Sequence, residues 1–332
     1  MHYTSGYGYN ECLKLLLAHL DIEINIEAED GLTPLHVAAW NGRTKCVKLL
    51  LSLSGIDVSI QNKDGATPIY MAAKYGHAEC LKLLLELNEI DVNAKNNDGL
   101  TPLHSASENG NTDCVKLLLE NKNIQLNSKM NDGSTALHLA AANGHAECVK
   151  LLLEQKNIDV NIKNKEGATP LYMAAPNGHS ECVKLLLTKQ NIDVNAQSKN
   201  GYTPLHLAAR HNNCDCVKLL LAHKNINVNI KNKDGATSLH SAVLEGHSEC
   251  VKILLTSPNI NVNVQANDGC TALHCAVKQG HIDCIRILLS HRNIDINIKD
   301  DNNQTPLAIA QSSPLHNRQT IIDILRQHGA TE

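Results

Sequence analysis

Histidine and cysteine recur along this chain at spacings that metal sites and nucleophiles use. Gly-His-x-Glu-Cys, as at His77 and Cys80, places an imidazole and a thiol three residues apart on one helix. That is half of a structural zinc site, which needs four ligands, and no second pair converges on it. Cys214 and Cys216 make a further pair, but residues two apart do not share a helix face. With His211 they are the group that most breaks the pattern of the chain, and they are the candidates for an enzymatic alternative. Gly178-His-Ser-Glu-Cys182 echoes a nucleophile elbow, yet the final Gly is missing and no strand precedes it. Asp159-Val-Asn-Ile-Lys-Asn164 opens like a calcium loop, but Lys163 takes a ligand position and the twelfth residue is Pro170. No Gly-x-x-x-x-Gly-Lys-Ser/Thr phrase is present to cradle phosphate.

The other candidates are periodic, and a group repeated in every unit reads as structure rather than as an active centre. Thr-Pro-Leu-His and its variants supply His36, His104, His138, His206, His240 and His274. Each imidazole is expected to bond the Thr hydroxyl and nearby backbone. Cys12, Cys46, Cys80, Cys114, Cys148, Cys182, Cys216, Cys250 and Cys284 recur every 34 residues, each inside a phrase such as Glu147-Cys-Val-Lys-Leu-Leu-Leu153. A fixed period of that length denotes a stack of small units. No catalytic residue, metal or cofactor is therefore expected, and the surface of the stack becomes the functional candidate.

One unit shows which elements carry these residues. Glu166-Gly167 opens a turn, Thr169 caps a helix and Pro170 suits its first position. Leu171 to Ala175 form a short first helix that Asn177-Gly178 ends. A second helix runs from about His179 to Thr188, with Cys182, Val183, Leu185, Leu186 and Leu187 apolar and Glu181, Lys184 and Thr188 in a polar stripe. So wide an apolar face needs cover from its own first helix and from a neighbouring unit. Asn191 is expected in the left-handed region as the chain leaves that helix, with Asp193 to Ala196 extended beyond it. The turn glycine recurs from Gly31 to Gly269, and Asn303 replaces it in the last unit, as left-handed geometry permits.

Composition fits one elongated domain. With 42% apolar residues, 19% charged residues and a net charge of −4, nothing suggests a general affinity for nucleic acid or anionic membrane. Acidic residues three positions before the Lys column, as in Glu79 and Lys82, describe a solvated face. A Lys or Arg interrupts every Leu-rich phrase, so no membrane insertion is expected. Met1 to Leu20 lacks the basic lead of a secretory signal. Helix layers lie about 8–10 Å apart, too far for the periodic cysteines to bridge their counterparts. Buried, reduced thiols and a cytoplasmic setting follow.

The phrases Asp-Gly-x-Thr-Pro-Leu-His, Ala-Ala-x-x-Gly-His, Val-Lys-Leu-Leu-Leu and Asp-Val-Asn, in that order, resemble the ankyrin-repeat family. The resemblance covers practically the whole chain as about ten repeats, and implies an all-α repeat solenoid of helix-turn-helix units joined by β-hairpin-like loops. These units are 34 residues long, against about 33 in that family, with the additional residue after the second helix. Residues 1–28 read as an incomplete N-terminal repeat, 29–300 as eight full repeats and 301–332 as a divergent capping repeat. His2 to Tyr7 match the helix pattern poorly, as in a frayed start or a chain cut from something longer.

The resemblance also implies a concave groove that takes a protein partner, built from positions the scaffold leaves variable. Two patches stand out there: Trp40, Lys74, Tyr75 and Glu108, and Tyr202, Arg210, His211, Leu244 and Glu245. Trp, Tyr and Arg are the usual interface anchors. A non-catalytic, monomeric scaffold for protein binding is the expected function. The alternatives are the recognition arm of a larger adaptor or effector, acting in a host cytoplasm if bacterial, or a substrate of asparagine hydroxylation. The resemblance makes Asn93, Asn161 and Asn195 candidates for that modification.

Overall fold

The computed structural model describes residues 1–19 and 22–331, in two units, Met1–Lys165 and Glu166–Glu332. The inner helices of the first unit are α1 (His2–Tyr7), α3 (Pro34–Trp40), α5 (Pro68–Lys74), α7 (Pro102–Glu108) and α9 (Ala136–Ala142). Its outer helices are α2 (Asn10–Leu17), α4 (Thr44–Leu51), α6 (Ala78–Leu85), α8 (Thr112–Glu120) and α10 (Ala146–Leu153). The second unit repeats the scheme with inner helices α11 (Pro170–Ala174), α13 (Pro204–Arg210), α15 (Ser238–Leu244), α17 (Ala272–Gln279) and α19 (Pro306–Ser312). Its outer helices are α12 (Ser180–Leu187), α14 (Cys214–Leu221), α16 (Ser248–Leu254), α18 (Ile282–Leu289) and α20 (Arg318–Gln327). Within each unit inner helices pack on inner and, as far as α18, outer on outer, and each inner helix packs on the outer helix that follows it. No strand forms among the described residues.

Local chemistry starts the inner helices as the sequence predicts. Thr33 is extended and its hydroxyl accepts from the His36 N–H, with Pro34 at the first helical position. The Thr33 N–H in turn donates to His36 Nδ1 at 3.1 Å, a capping box with His in the usual Glu or Gln place. An Nδ1 that accepts carries no proton, so Nε2 holds it and donates to the Ala66 carbonyl at 3.0 Å. The same bond runs from His104 to Ser134, His206 to Ala236, His240 to Cys270 and His274 to Gln304. Each imidazole thus caps its own helix and bonds the next loop.

The core is a column of Leu, Val, Ala and Cys. Leu50, Leu84, Leu118 and Leu152 are fully buried in the first unit, as are Leu186, Leu220, Leu254 and Leu288 in the second. Periodic cysteines from Cys46 to Cys284 are buried as expected, but Cys12 is exposed. Its helix face is the one that a preceding helix pair covers in later repeats.

Four local expectations are corrected. His2–Tyr7 is helical, because packing on α3 overrides weak propensity: Gly6 comes so close that a Cβ there would lie 2.8 Å from Val37 Cγ1. Asn191 has no positive φ; the chain turns instead through Ile192 N–H to Lys189 O at 3.1 Å. Among the described non-glycine residues Asn212 and Asn303 alone are left-handed, the latter at φ 60° as expected. Helix α11 stops at Ala174, since Pro176 has no N–H to continue the ladder. Of the predicted i,i+3 pairs, Lys14–Glu11, Lys150–Glu147, Lys184–Glu181 and Lys218–Asp215 close, but Glu79 and Lys82 do not. That pair is solvated, where holding two long side chains together gains little.

Candidate protein-binding surface

The variable column sits at the C-terminal ends of the inner helices, where carbonyls lack helical partners. The following repeat supplies them. His77 Nε2 bonds the Trp40 carbonyl at 2.8 Å, Asn111 Nδ2 the Lys74 carbonyl at 2.9 Å, and His145 Nε2 the Glu108 carbonyl at 2.9 Å. In the second unit His247 bonds the Arg210 carbonyl at 2.9 Å and His281 the Leu244 carbonyl at 3.3 Å. The backbone carbonyls of Trp40, Lys74, Glu108, Arg210 and Leu244 are thereby fixed. The ring of His77, half of the zinc pair that the sequence offers, is committed to this role.

The first patch divides in two. The Trp40 and Tyr75 rings lie 5.6 Å apart, both side chains exposed, with Lys74 Nζ 5.7 Å from the Tyr75 centroid. Lys74 and Glu108 instead line a cavity of about 590 Å³ with Tyr70, Asp64, Asp98 and Asp132. Trp40 and Tyr75 do not line it.

The second patch is drawn together more completely. Tyr202, Arg210, Leu244 and Glu245 line a cavity of about 460 Å³ with Asp234 and Asp268. Arg210 Nε pairs with Glu245 Oε1 at 3.3 Å, and Tyr202 stands edge-on to His206 with centroids 5.7 Å apart. His211 is exposed and lies outside this lining. Lys278, in the same column, is turned inward: its Nζ lies 2.8 Å from Cys270 Sγ and 3.6 Å from the buried Asp300 carboxylate.

Sequence reasoning missed the carboxylates. Asp64, Asp98, Asp132, Asp234 and Asp268 each precede a turn glycine and read as turn residues, although their regular recurrence was a signal of a charged row. It also missed three exposed tyrosines at the first helix: Tyr3, Tyr7 and Tyr9 have ring centroids 4.4–6.0 Å apart.

Cys214 and Cys216, two members of the enzymatic alternative, sit in different surroundings. Cys216 is buried, and burial pushes its thiol up to about 11. Cys214 faces Cys250 rather than Cys216. Among the described residues no three His, Cys, Asp or Glu side chains group as a metal centre would need. No helix among them is long and apolar enough to cross a membrane.

No curated protein sequence matches the chain significantly. A family model described as ankyrin repeats, in three copies, matches residues 1–62, 52–130, 123–198, 190–266 and 258–331 in succession. Ankyrin repeats are in general protein–protein interaction modules. With matches across practically its whole length, the chain belongs to the ankyrin-repeat family.

Proposed function

We propose that this chain is a non-catalytic binding module that holds a positively charged segment of a protein partner along its inner-helix side. The charge of the two cavities carries the reading. In the first unit Asp64, Asp98, Asp132 and Glu108 face a single cation, Lys74. In the second, Asp234, Asp268 and Glu245 face Arg210, which is already paired with Glu245. Tyr70, Tyr202 and Leu244 add apolar surface beside those carboxylates, the mixture that binds the stem and head of a Lys or Arg side chain. Trp40 and Tyr75, exposed and adjacent, serve as flanking anchors in this scheme.

Fluorescent Lys/Arg-rich peptides and their Asp/Glu-rich counterparts, titrated by anisotropy, test the proposal. The basic set binds and weakens as salt rises. Asp64→Asn with Asp98→Asn, a change to the residue found at the same tip position as Asn200, lowers affinity about three- to tenfold at unchanged melting temperature. Equal binding of acidic and basic peptides, or indifference to both substitutions, refutes it.

A further inference from the structure

The first position of the outer helix lies beside the thiol of the next repeat. Asn10 Oδ1 is 3.2 Å from Cys46 Sγ, Thr44 Oγ1 is 3.6 Å from Cys80 Sγ, and Thr112 Oγ1 is 3.8 Å from Cys148 Sγ. In α14 this position is Cys214, so a thiol replaces the oxygen and the two sulfurs, Cys214 Sγ and Cys250 Sγ, stand 3.2 Å apart. Asn212, held left-handed at φ 58°, places its Oδ1 3.5 Å from Cys250 Sγ and 3.7 Å from Cys214 Sγ.

We propose that Cys214 and Cys250 form an oxidisable pair that closes to a disulfide within the chain when the protein meets a peroxide. The sulfurs already touch at 3.2 Å, and a disulfide brings them to about 2.05 Å. The two thiols are unequal. Cys214 is partly exposed, whereas Cys250 is fully buried and its thiol is pushed up by that burial and by the neighbouring Cys214. Cys214 therefore reacts first: its thiolate attacks one peroxide oxygen, the O–O bond breaks, and the departing hydroxide takes a proton to become water. The resulting sulfenic acid lies against Cys250, whose sulfur attacks it as the S–O bond breaks. The second hydroxide leaves and takes the Cys250 proton as water. Two thiols and one hydrogen peroxide give one disulfide and two waters, the sulfurs losing the two electrons the peroxide gains. The bond joins α14 to α16 and fastens one repeat to the next.

The test exposes the full chain to hydrogen peroxide, alkylates the remaining thiols, and maps a non-reduced digest by mass spectrometry. A peptide linking Cys214 to Cys250, lighter by two hydrogens than the separate pieces and released by dithiothreitol, is expected. Oxidised wild-type protein melts at a higher temperature than reduced protein. Cys214→Ser, which restores the residue seen at Ser180 and Ser248, folds normally and shows neither the link nor the shift. Peroxide that leaves both thiols free for alkylation once unfolded, or that carries Cys214 to a sulfinic acid with Cys250 still free, overturns the proposal.

Discussion

The Asn93 side chain joins two successive loops through Asn123, donating to that carbonyl at 2.9 Å while its Oδ1 accepts the Gln125 N–H at 2.9 Å. Asn25, Asn127, Asn195, Asn229 and Asn263 make the equivalent pair of bonds, so a ladder of amides fastens loop to loop within each unit. Asn93 and Asn195, two of the three hydroxylation candidates, are rungs of it.

The ladder breaks at Ser59, which is too short to cross and bonds Asp57 in its own loop at 2.6 Å. A cavity of about 240 Å³ lined by Ser59, Glu89, Ile90 and Asp91 opens there. Ser59→Asn is expected to stabilise the protein by about 1 kcal/mol, the net worth of the bonds it restores. Asn93→Ser lowers stability by a similar amount. Urea unfolding midpoints check both, and a loss of stability in Ser59→Asn contradicts the account.

Acid should unfold the protein through its capping histidines. Burial holds His36, His104, His206 and His240 down at about 4, against an ordinary value of 6.5. Nδ1 must accept from the Thr N–H, so a protonated ring breaks the cap. The unfolded chain binds these protons first. The stability these rings contribute is therefore complete above pH 6.5 and lost as pH falls from 6.5 toward 4, at up to about 1.4 kcal/mol per pH unit for each His. His206→Gln, which keeps a capping-box residue, flattens that slope by about one proton in urea melts run between those pH values. An unchanged slope excludes His206 as a contributor.

Glycine is required by contact at some turns and by backbone alone at others. Gly201 has φ 78°, and a Cβ there would lie 2.8 Å from the Lys233 backbone nitrogen. Gly55 has φ 86° with no atom near enough to obstruct one. Gly55→Ala is expected to cost about 1 kcal/mol, the strain of the left-handed region. Gly201→Ala costs more, because the next loop must also shift. Thermal melting of the two variants decides it, and equal losses show that the loop contact is immaterial.

Much of this molecule was legible in its residues because the signals are local. Thr-Pro-Leu-His contains its own cap and ring acceptor, and the Cys-Val-Lys-Leu-Leu-Leu phrase reads as an amphipathic outer helix whatever lies around it. The left-handed turn at Asn303 followed from residue type alone. The groove patches were readable only as a column of variable side chains. Which of them share a cavity, and that Lys278 is turned inward, depended on neighbours that no local pattern names.

The sequence by itself determined the period, the helix pairs, their caps and the buried column, since these rest on spacings of three, four and 34 residues. Stacking alone decided what each repeat touches in the next. His36 meets the carbonyl 30 residues on, Asn93 the N–H 32 on, Cys214 the thiol 36 on and His77 the carbonyl 37 back. None of these offsets equals the repeat length. They follow from how far each side chain reaches across the interface between two packed layers, a distance set in space rather than along the chain.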